Sequence, residues 1–169
     1  MVLKLFWENY KMDFNKLYKK GIIRLIKPND NLAEAYVKNS DEYIKSANLL
    51  MEHQFLSRAV IDFYYAMYYA LSALLFKCGI KSEDHNASIE IFKIFIDKNI
   101  IKKDLYKKIL DAKDERINQQ YYLKPINLKS VKKISSDAIS FINSIKELIY
   151  NLDDEVIKSV LESFKSLLK

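Results

Sequence analysis

The sequence predicts an all-α protein made of a few long helices. Gly and Pro occur only twice each in 169 residues, which disfavours a β-rich fold with its many tight turns. Hydrophobic residues make up 50% of the chain and charged residues 30%, so the chain can bury a core and is not a disordered segment. In the longer segments, apolar residues recur every three or four positions, which is the spacing of one helix face.

Helix-breaking and capping residues divide the chain into seven predicted helices. Gly21 and Gly79 each end a helix, and Asp30 or Asn31 is the expected N-cap of the first long one. Residues 80–86 are predicted to form a polar loop. The helices are predicted over about residues 8–20, 31–52, 55–78, 86–97, 102–124, 128–150 and 153–168.

These helices are expected to form one domain over residues 1–169, because the chain contains no internal repeat and no linker. Its core is predicted at about 30–150, with an N-terminal extension at 1–28 and a C-terminal helix at 151–169. Cys78 is the single cysteine, so no intrachain disulfide can form, and a cytoplasmic location is expected. The apolar stretch at the N-terminus is too short and too interrupted for a secretory signal.

The helix predicted over residues 55–78 contains a stretch, Phe63–Leu71, that is apolar or aromatic on every face. Such a helix must be covered on several sides, so we expect it at the centre of the fold, with a second subunit covering what remains open. The longest apolar run, Phe63–Phe76, has 14 residues, fewer than the roughly 20 that span a bilayer. A core helix is therefore expected, and neither a membrane span nor a cofactor-binding segment.

The net charge of +6 is concentrated in two segments. Residues 4–27 hold seven Lys or Arg against two acids, and residues 98–133 hold eleven against four. Basic segments of this kind attract phosphates, but a solvated lysine-rich surface explains them equally well.

Several kinds of chemistry are excluded by the residues that the chain lacks. His53 and His85 lie on separate segments, and no His or Cys pair has metal-ligand spacing, so we expect no metal site. Gly21 and Gly79 stand alone, so no glycine-rich phosphate loop is present and no cofactor is expected. His85 precedes a predicted helix and is expected to form hydrogen bonds near the cap.

The strongest candidate site is the stretch Arg116–Tyr122, at the end of the fifth predicted helix. It contains one guanidinium, three amides and two phenols, which are groups that bind phosphates and stack on bases. From the residues alone, capping of the helix end explains the stretch as well as binding does. The preceding carboxylates Asp114 and Glu115 are adjacent, so they point to different sides of a helix.

The chain resembles the HEPN family (higher eukaryote and prokaryote nucleotide-binding domains), and within it a branch of small prokaryotic proteins of unassigned function. The strongest match is the Tyr-Tyr-Ala-Met-Tyr-Tyr segment followed downstream by an arginine motif. The matching residues are Trp7–Tyr10, Lys19–Arg24, Pro28, Leu32, Tyr43, Ala47, Leu50, Phe63–Ala70, Ala73–Leu75, Gly79, Ile80, His85, Phe92 and Arg116–Tyr121.

The resemblance implies an antiparallel helical bundle that dimerises. Many family members are metal-independent ribonucleases whose motif is an Arg followed, after four to six residues, by a His, with two copies meeting across the dimer interface. Such proteins are often encoded beside a minimal nucleotidyltransferase, as toxin and antitoxin. That partner can adenylylate a tyrosine near the motif.

This chain departs from the motif because Tyr121 occupies the position of the expected His, with four residues between it and Arg116. A phenol has an ordinary pKa of about 10, against about 6.5 for imidazole, and is a poor base near neutral pH. We therefore expect nucleotide or RNA binding to be retained better than catalysis, for which Arg116 and Tyr121 are the candidate residues. The residues predicted to bind nucleotide or RNA are Arg116, Asn118, Gln120 and Tyr122.

Three functions remain open, of which the first two follow from the resemblance. The first is a nucleotide- or RNA-binding partner of a minimal nucleotidyltransferase in a toxin–antitoxin or defence module. The second is a metal-independent endoribonuclease in which His85 or a perturbed Tyr121 replaces the missing histidine. The third is a non-catalytic scaffold in which Arg116 pairs with Asp111, Asp114 or another acid. A homodimer is expected, and no membrane association.

Helix geometry adds a further expectation. Five positions of a regular helix turn about 500°, which leaves Arg116 and Tyr121 roughly 140° apart. A site within one chain would then require the helix to unwind near Gln119–Tyr121, and a site built from two chains would not.

Overall fold

The computed structural model describes residues 12–169, in which seven helices and one two-stranded sheet follow each other along the chain. The prediction of an all-α fold with long central helices is confirmed. The elements are α1 (Phe14–Lys19), β1 (Ile23–Leu25), α2 (Asp30–Glu52), α3 (Leu56–Lys77), β2 (Ile80–Ser82), α4 (His85–Asp97), α5 (Lys103–Tyr121), α6 (Leu128–Asn151) and α7 (Asp154–Ser166).

The predicted first helix, 8–20, is described only in part. Residues 8–11 lie outside the described part of the chain, and α1 begins at Phe14, where the Asp13 side chain accepts a hydrogen bond from the Lys16 N–H at 2.8 Å. The helix ends at Lys19, and Gly21 follows with a φ of 71°, in the left-handed region that glycine adopts without strain. The predicted end of this helix at Gly21 is confirmed.

The N-cap of α2 is Asn29, so the prediction of Asp30 or Asn31 was wrong. The Asn29 side chain accepts the Leu32 N–H at 2.9 Å, and its backbone is extended, whereas Asp30 is already helical. The Asp30 carboxylate instead pairs with Lys77 Nζ at 2.8 Å, at the far end of α3. Two residue types with equal capping ability stood side by side, and the position of the turn decided between them.

The prediction of a loop over residues 80–86 was wrong at its start, because β2 pairs there with β1 in an antiparallel ladder. Ile23 lies opposite Ser82, and Leu25 lies opposite Ile80. Three-residue strands are too short to show an alternating pattern in the sequence. Gly79 leads into this ladder with a φ of 75°, and a Cβ there would lie 2.7 Å from the Ile26 carbonyl oxygen.

The core is built around α3, which packs against α2, α5 and α6. By length and composition α3 could cross a membrane. However, 72% of its most apolar 18-residue stretch is buried inside the bundle, as in the core helix of a soluble protein. Cys78, directly after α3, is fully buried, and this burial raises the pKa of its thiol to about 12. The apolar residues of α4 that face the core are buried: Ile89, Phe92, Ile94 and Phe95.

Candidate functional site

Arg116 lies in the second-last turn of α5, where its guanidinium group is surrounded by aromatic rings. Its Cζ atom lies 5.2 Å from the ring centroid of Tyr64, 5.8 Å from that of Tyr65 and 5.9 Å from that of Tyr121. Tyr64 and Tyr65 belong to the central helix α3, so packing of α5 against α3 fixes the arginine. Guanidinium groups are attracted to ring faces, and the three rings restrict the rotamers that the side chain can adopt.

The hydrogen-bonding groups of Arg116 are only partly used. Nη1 donates to Gln120 Oε1 at 3.0 Å, one helical turn further on, and Nε is buried with no hydrogen-bond partner in the described residues. Among the ion pairs formed within residues 12–169, none includes Arg116, and Asp111 pairs with Lys107 at 2.5 Å. The acid-paired arginine of the scaffold alternative is therefore not observed in this part of the chain.

The expectation that α5 must unwind to bring Arg116 and Tyr121 together in one chain was wrong. The helix is continuous from Lys103 to Tyr121, and the guanidinium still lies 5.9 Å from the Tyr121 ring centroid. Both side chains are long, so they span the angular separation that their Cα positions leave. One chain therefore brings these two groups together.

His85 is the first residue of α4, and its ring is fixed from two directions. Its Nδ1 atom lies 2.6 Å from the Tyr64 hydroxyl oxygen, within hydrogen-bonding distance. The Tyr68 ring stacks on the imidazole with a centroid separation of 3.7 Å and an interplanar angle of 5°. The Tyr65 ring meets the imidazole edge-on at 6.0 Å. Tyr64 and Tyr65 thus contact both His85 and Arg116, and join them into one site.

The charges around His85 favour its neutral form. Burial, the largest cause, lowers the pKa of the imidazole, and the positive charges of Arg116 and Lys113 lower it further, while Asp84 acts in the opposite direction. Burial also raises the pKa of Tyr64 far above its ordinary value, although Arg116 opposes this. Both groups therefore keep their neutral forms at pH 7.

The protons in this chain of contacts have a preferred arrangement. The positive charge of Arg116 lies beside the Tyr64 ring and acts to lower the pKa of its phenol, so the phenol oxygen faces a cation on that side. The phenol proton is then available for His85 Nδ1, which places the imidazole proton on Nε2. In this tautomer, the second nitrogen of His85 donates a hydrogen bond and does not accept a proton.

A second basic residue lies one turn before Arg116 on α5. The Lys113 ammonium donates a hydrogen bond to the Asn86 side-chain oxygen, next to His85. Burial lowers the pKa of Lys113, and nearby carboxylates, Asp114 first among them, raise it. Lys113 and Arg116 give this face of α5 a positive charge beside the start of α4.

The predicted binding residues are only partly brought together. Gln120 and Tyr121 contact Arg116, and Tyr121 is 65% exposed. Asn118 turns away, because its amide donates to Glu115 Oε2 at 3.3 Å. Tyr122 is 54% exposed, and its ring contacts Lys124 Nζ at 5.7 Å from the centroid.

Sequence reasoning missed Tyr64 as a functional residue and treated His85 as a residue that forms hydrogen bonds near the helix cap or as a substitute for the motif histidine. Tyr64 was assigned to the core, and it is indeed fully buried, but its hydroxyl points into the site. No periodicity distinguishes a tyrosine that fills the core from one that also orients a neighbour. The pairing with His85 joins positions 21 residues apart, so only the fold reveals it.

Two further features delimit the site. No cluster of three or more His, Cys, Asp or Glu able to hold a metal ion occurs among residues 12–169. A cleft of about 310 Å³ between α5 and α6 is lined by Glu115 and Asp111 but not by Arg116. The arginine site and this cleft are therefore separate.

The fold and the site define a helical-bundle protein with a ring-enclosed arginine at the end of a core helix. The HEPN domain model matches residues 33–152, and the chain belongs to this family. A UPF0332 protein of Pyrococcus horikoshii is 30% identical over 108 residues, covering 61% of this chain and 75% of the relative. A UPF0332 protein of Thermotoga maritima is 27% identical over 125 residues, covering 73% of this chain and 95% of the relative. The resemblance stated from the sequence is confirmed.

Proposed function

We propose that this chain is a cytoplasmic nucleotide- or RNA-binding protein that holds a phosphate group at Arg116 and acts with a minimal nucleotidyltransferase in a toxin–antitoxin or defence module. The observation that carries the proposal is the state of the Arg116 side chain. Rings hold it in place, no acid neutralises it among the described residues, and its Nε has no partner there. A pre-oriented guanidinium with spare donors is suited to phosphate.

Exposed rings beside the arginine support an RNA ligand. Tyr121 lies against the guanidinium and Tyr122 against Lys124, so two cation–ring pairs occur in succession at the end of α5. Both rings are more than half exposed. An exposed ring stacks on a base while a neighbouring cation binds the backbone, which is how single-stranded nucleic acids are commonly held.

Binding of a short fluorescein-labelled oligouridylate, followed by anisotropy, tests this proposal. Arg116→Ala should weaken binding about ten-fold or more, because a hydrogen-bonded charge contact to phosphate contributes about 1.5–3 kcal/mol. Arg58→Ala is the matched control, since Arg58 is an exposed arginine on α3 and its substitution removes the same charge. Equal affinities for the two variants would reduce the role of Arg116 to general electrostatic attraction, and the proposal would fail.

A second candidate, a metal-independent endoribonuclease, is favoured by one observation: the Tyr65 ring contacts both His85 and Arg116. The preferred tautomer argues against His85 as a base, since its Nδ1 is engaged by Tyr64. Incubation of wild type and the Arg116→Ala variant with total RNA in EDTA distinguishes the two functions. Cleavage by wild type alone would establish the ribonuclease, and no cleavage would leave the binding function.

The proposed partner is a minimal nucleotidyltransferase that acts on an exposed tyrosine near the arginine. Tyr121 and Tyr122 are the accessible hydroxyls in this position. Mass spectrometry of the protein purified from its native cells should detect a bound nucleotidyltransferase and a nucleotide monophosphate on one of these residues. An unmodified, partner-free protein would contradict this part of the proposal.

We also propose a homodimer formed through half-buried rings of α2 and α3. The Tyr69 ring stacks with Tyr43 at a centroid separation of 5.2 Å and contacts Tyr36 at 5.4 Å with the two rings tilted by 41°. All three rings remain partly accessible in one chain. Tyr68 is a poor probe of this interface because it stacks on His85. Tyr69→Glu should therefore convert the dimer into monomers by light scattering, and a monomeric wild type would overturn the idea.

A further inference from the structure

We propose that His85 is the second phosphate-binding group of the Arg116 site, and that Tyr64 presents it as a hydrogen-bond donor through Nε2–H. The histidine comes from the start of α4 and so lies outside the arginine motif on α5. This inference rests on the proposed function and adds one residue, with a defined protonation state, to the recognition of an RNA phosphodiester.

The first support is that two rings contact both groups. The Tyr64 ring centroid lies 5.2 Å from Arg116 Cζ and 5.7 Å from the imidazole centroid. The Tyr65 ring lies 5.8 Å from the same guanidinium carbon and 6.0 Å from the same imidazole. A single anionic group near these rings therefore has a guanidinium and an imidazole close by.

The second support is that the imidazole cannot easily turn over. A ring flip would exchange Nδ1 with a carbon and break the contact with the Tyr64 hydroxyl at 2.6 Å. The parallel Tyr68 ring at 3.7 Å holds the plane of the imidazole. With Tyr64 donating to Nδ1, Nε2 carries the proton on the other edge of the ring. A donor held in place before binding loses little conformational entropy when it binds.

The third support is the charge of the surroundings. The charged groups that act on His85 from the packed elements are Arg116 and Lys113 of α5 and Asp84, which precedes α4. Of these three groups, two are cations and one is a carboxylate, so the charges that act directly on His85 are mainly positive. The Asp84 carboxylate is also occupied, since it accepts the Ala87 N–H at 2.7 Å as the N-cap of α4. These surroundings favour an anion over a cation or a neutral ligand.

The binding test uses the same oligouridylate and four variants. His85→Ala should weaken binding about ten-fold, the effect of losing a hydrogen bond to a charged group. His85→Gln should bind more tightly than His85→Ala, because its amide N–H can replace the Nε2–H donor. His53→Ala is the matched control, since His53 is an exposed histidine at the end of α2 and should leave binding unchanged. Arg116→Ala reports the proposed function independently.

The outcomes separate the two proposals. If Arg116→Ala weakens binding and His85→Ala does not, only the inference about His85 is overturned. If neither variant weakens binding, the proposed function fails as well. Equal loss in His85→Gln and His85→Ala would also overturn the donor role, because a donor should be partly restored by glutamine.

A second measurement is independent of any ligand. Long-range proton–nitrogen NMR spectra of the folded protein distinguish the two tautomers of a neutral imidazole. We expect the Nε2–H form for His85 in wild type and a mixture of forms in the Tyr64→Phe variant, which keeps the ring and removes the hydroxyl. An Nδ1–H form in wild type would overturn the inference even if the histidine variants bind RNA weakly.

Discussion

Helix α3 contributes tyrosines to two ring clusters that differ in what they face. In the polar ring cluster, Tyr64 and Tyr68 contact His85, and Tyr64 also contacts a guanidinium. In the stacked ring cluster, Tyr69 contacts the rings of Tyr36 and Tyr43, both on α2. Within residues 12–169, Tyr69 has no other ring contact outside α3.

The comparison shows that the neighbouring elements decide the role of a tyrosine on α3. Tyr64 and Tyr68 lie one turn apart and reach α4 and α5, while Tyr69 reaches α2. Tyr65 lies between the two clusters, because it contacts His85 and Arg116 as well as Tyr43 of α2. The same side chain thus orients a polar site in one cluster and covers a partly accessible surface in the other. The residue type is the same in both clusters, so the role of each tyrosine is set by the helix that it contacts.

The largest expected difference between the clusters is in stability. Tyr64→Ala should lower the free energy of unfolding by about 3–5 kcal/mol, since it removes a fully buried ring. Tyr43→Ala should cost about half as much, because that ring is only partly buried. Urea unfolding of both variants measures these values. Equal losses would mean that the stacked ring cluster is as much a part of the core as the polar one.

A smaller difference is expected when only the hydroxyl is removed. Tyr64→Phe should lower the free energy of unfolding by about 1–2 kcal/mol, because His85 Nδ1 loses its partner. Tyr43→Phe should stay within about 0.5 kcal/mol of wild type, since no hydrogen bond of a buried group is lost. Chemical denaturation again provides the measurement. A neutral Tyr64→Phe would show that the hydroxyl contact contributes no net stability.

The smallest effect concerns pH and belongs to the polar ring cluster alone. The lowered pKa of His85 means that the unfolded chain binds a proton there which the folded chain does not. Stability should therefore fall as pH decreases from about 6.5 to the lowered pKa, with a slope of at most about 1.4 kcal/mol per pH unit. His85→Gln should remove this slope and His53→Gln should keep it. Parallel profiles for both variants would contradict the assignment.

Much of the fold was accessible from the sequence because helical periodicity is a strong local signal. The ends of α3 and of α4 were predicted to within one residue. The β1–β2 ladder was not, since pairing between residues 23–25 and 80–82 depends on the close approach at Gly79 and leaves no local pattern. The prediction of the N-cap of α2 missed Asn29 because the neighbouring residues Asp30 and Asn31 have equal capping ability.

The site was predictable only where it is local. Arg116, Gln120 and Tyr121 lie within two turns of one helix, and the sequence singled them out together. His85 and Tyr64 join them through contacts between helices, which no spacing rule encodes. Asn118 was chosen for its amide, but Glu115, three residues earlier on α5, accepts a hydrogen bond from that amide.

The burial of Cys78 has a practical consequence for experiments on this protein. Thiol reagents attack the thiolate, which is scarce when burial raises the pKa to about 12, and the fully buried sulfur is also shielded from them. A cysteine introduced at Tyr150, which is 93% exposed, should therefore accept a maleimide dye while the native thiol stays unlabelled. Distances measured between fluorophores or spin labels at this position can then test the proposed homodimer while Cys78 stays in place.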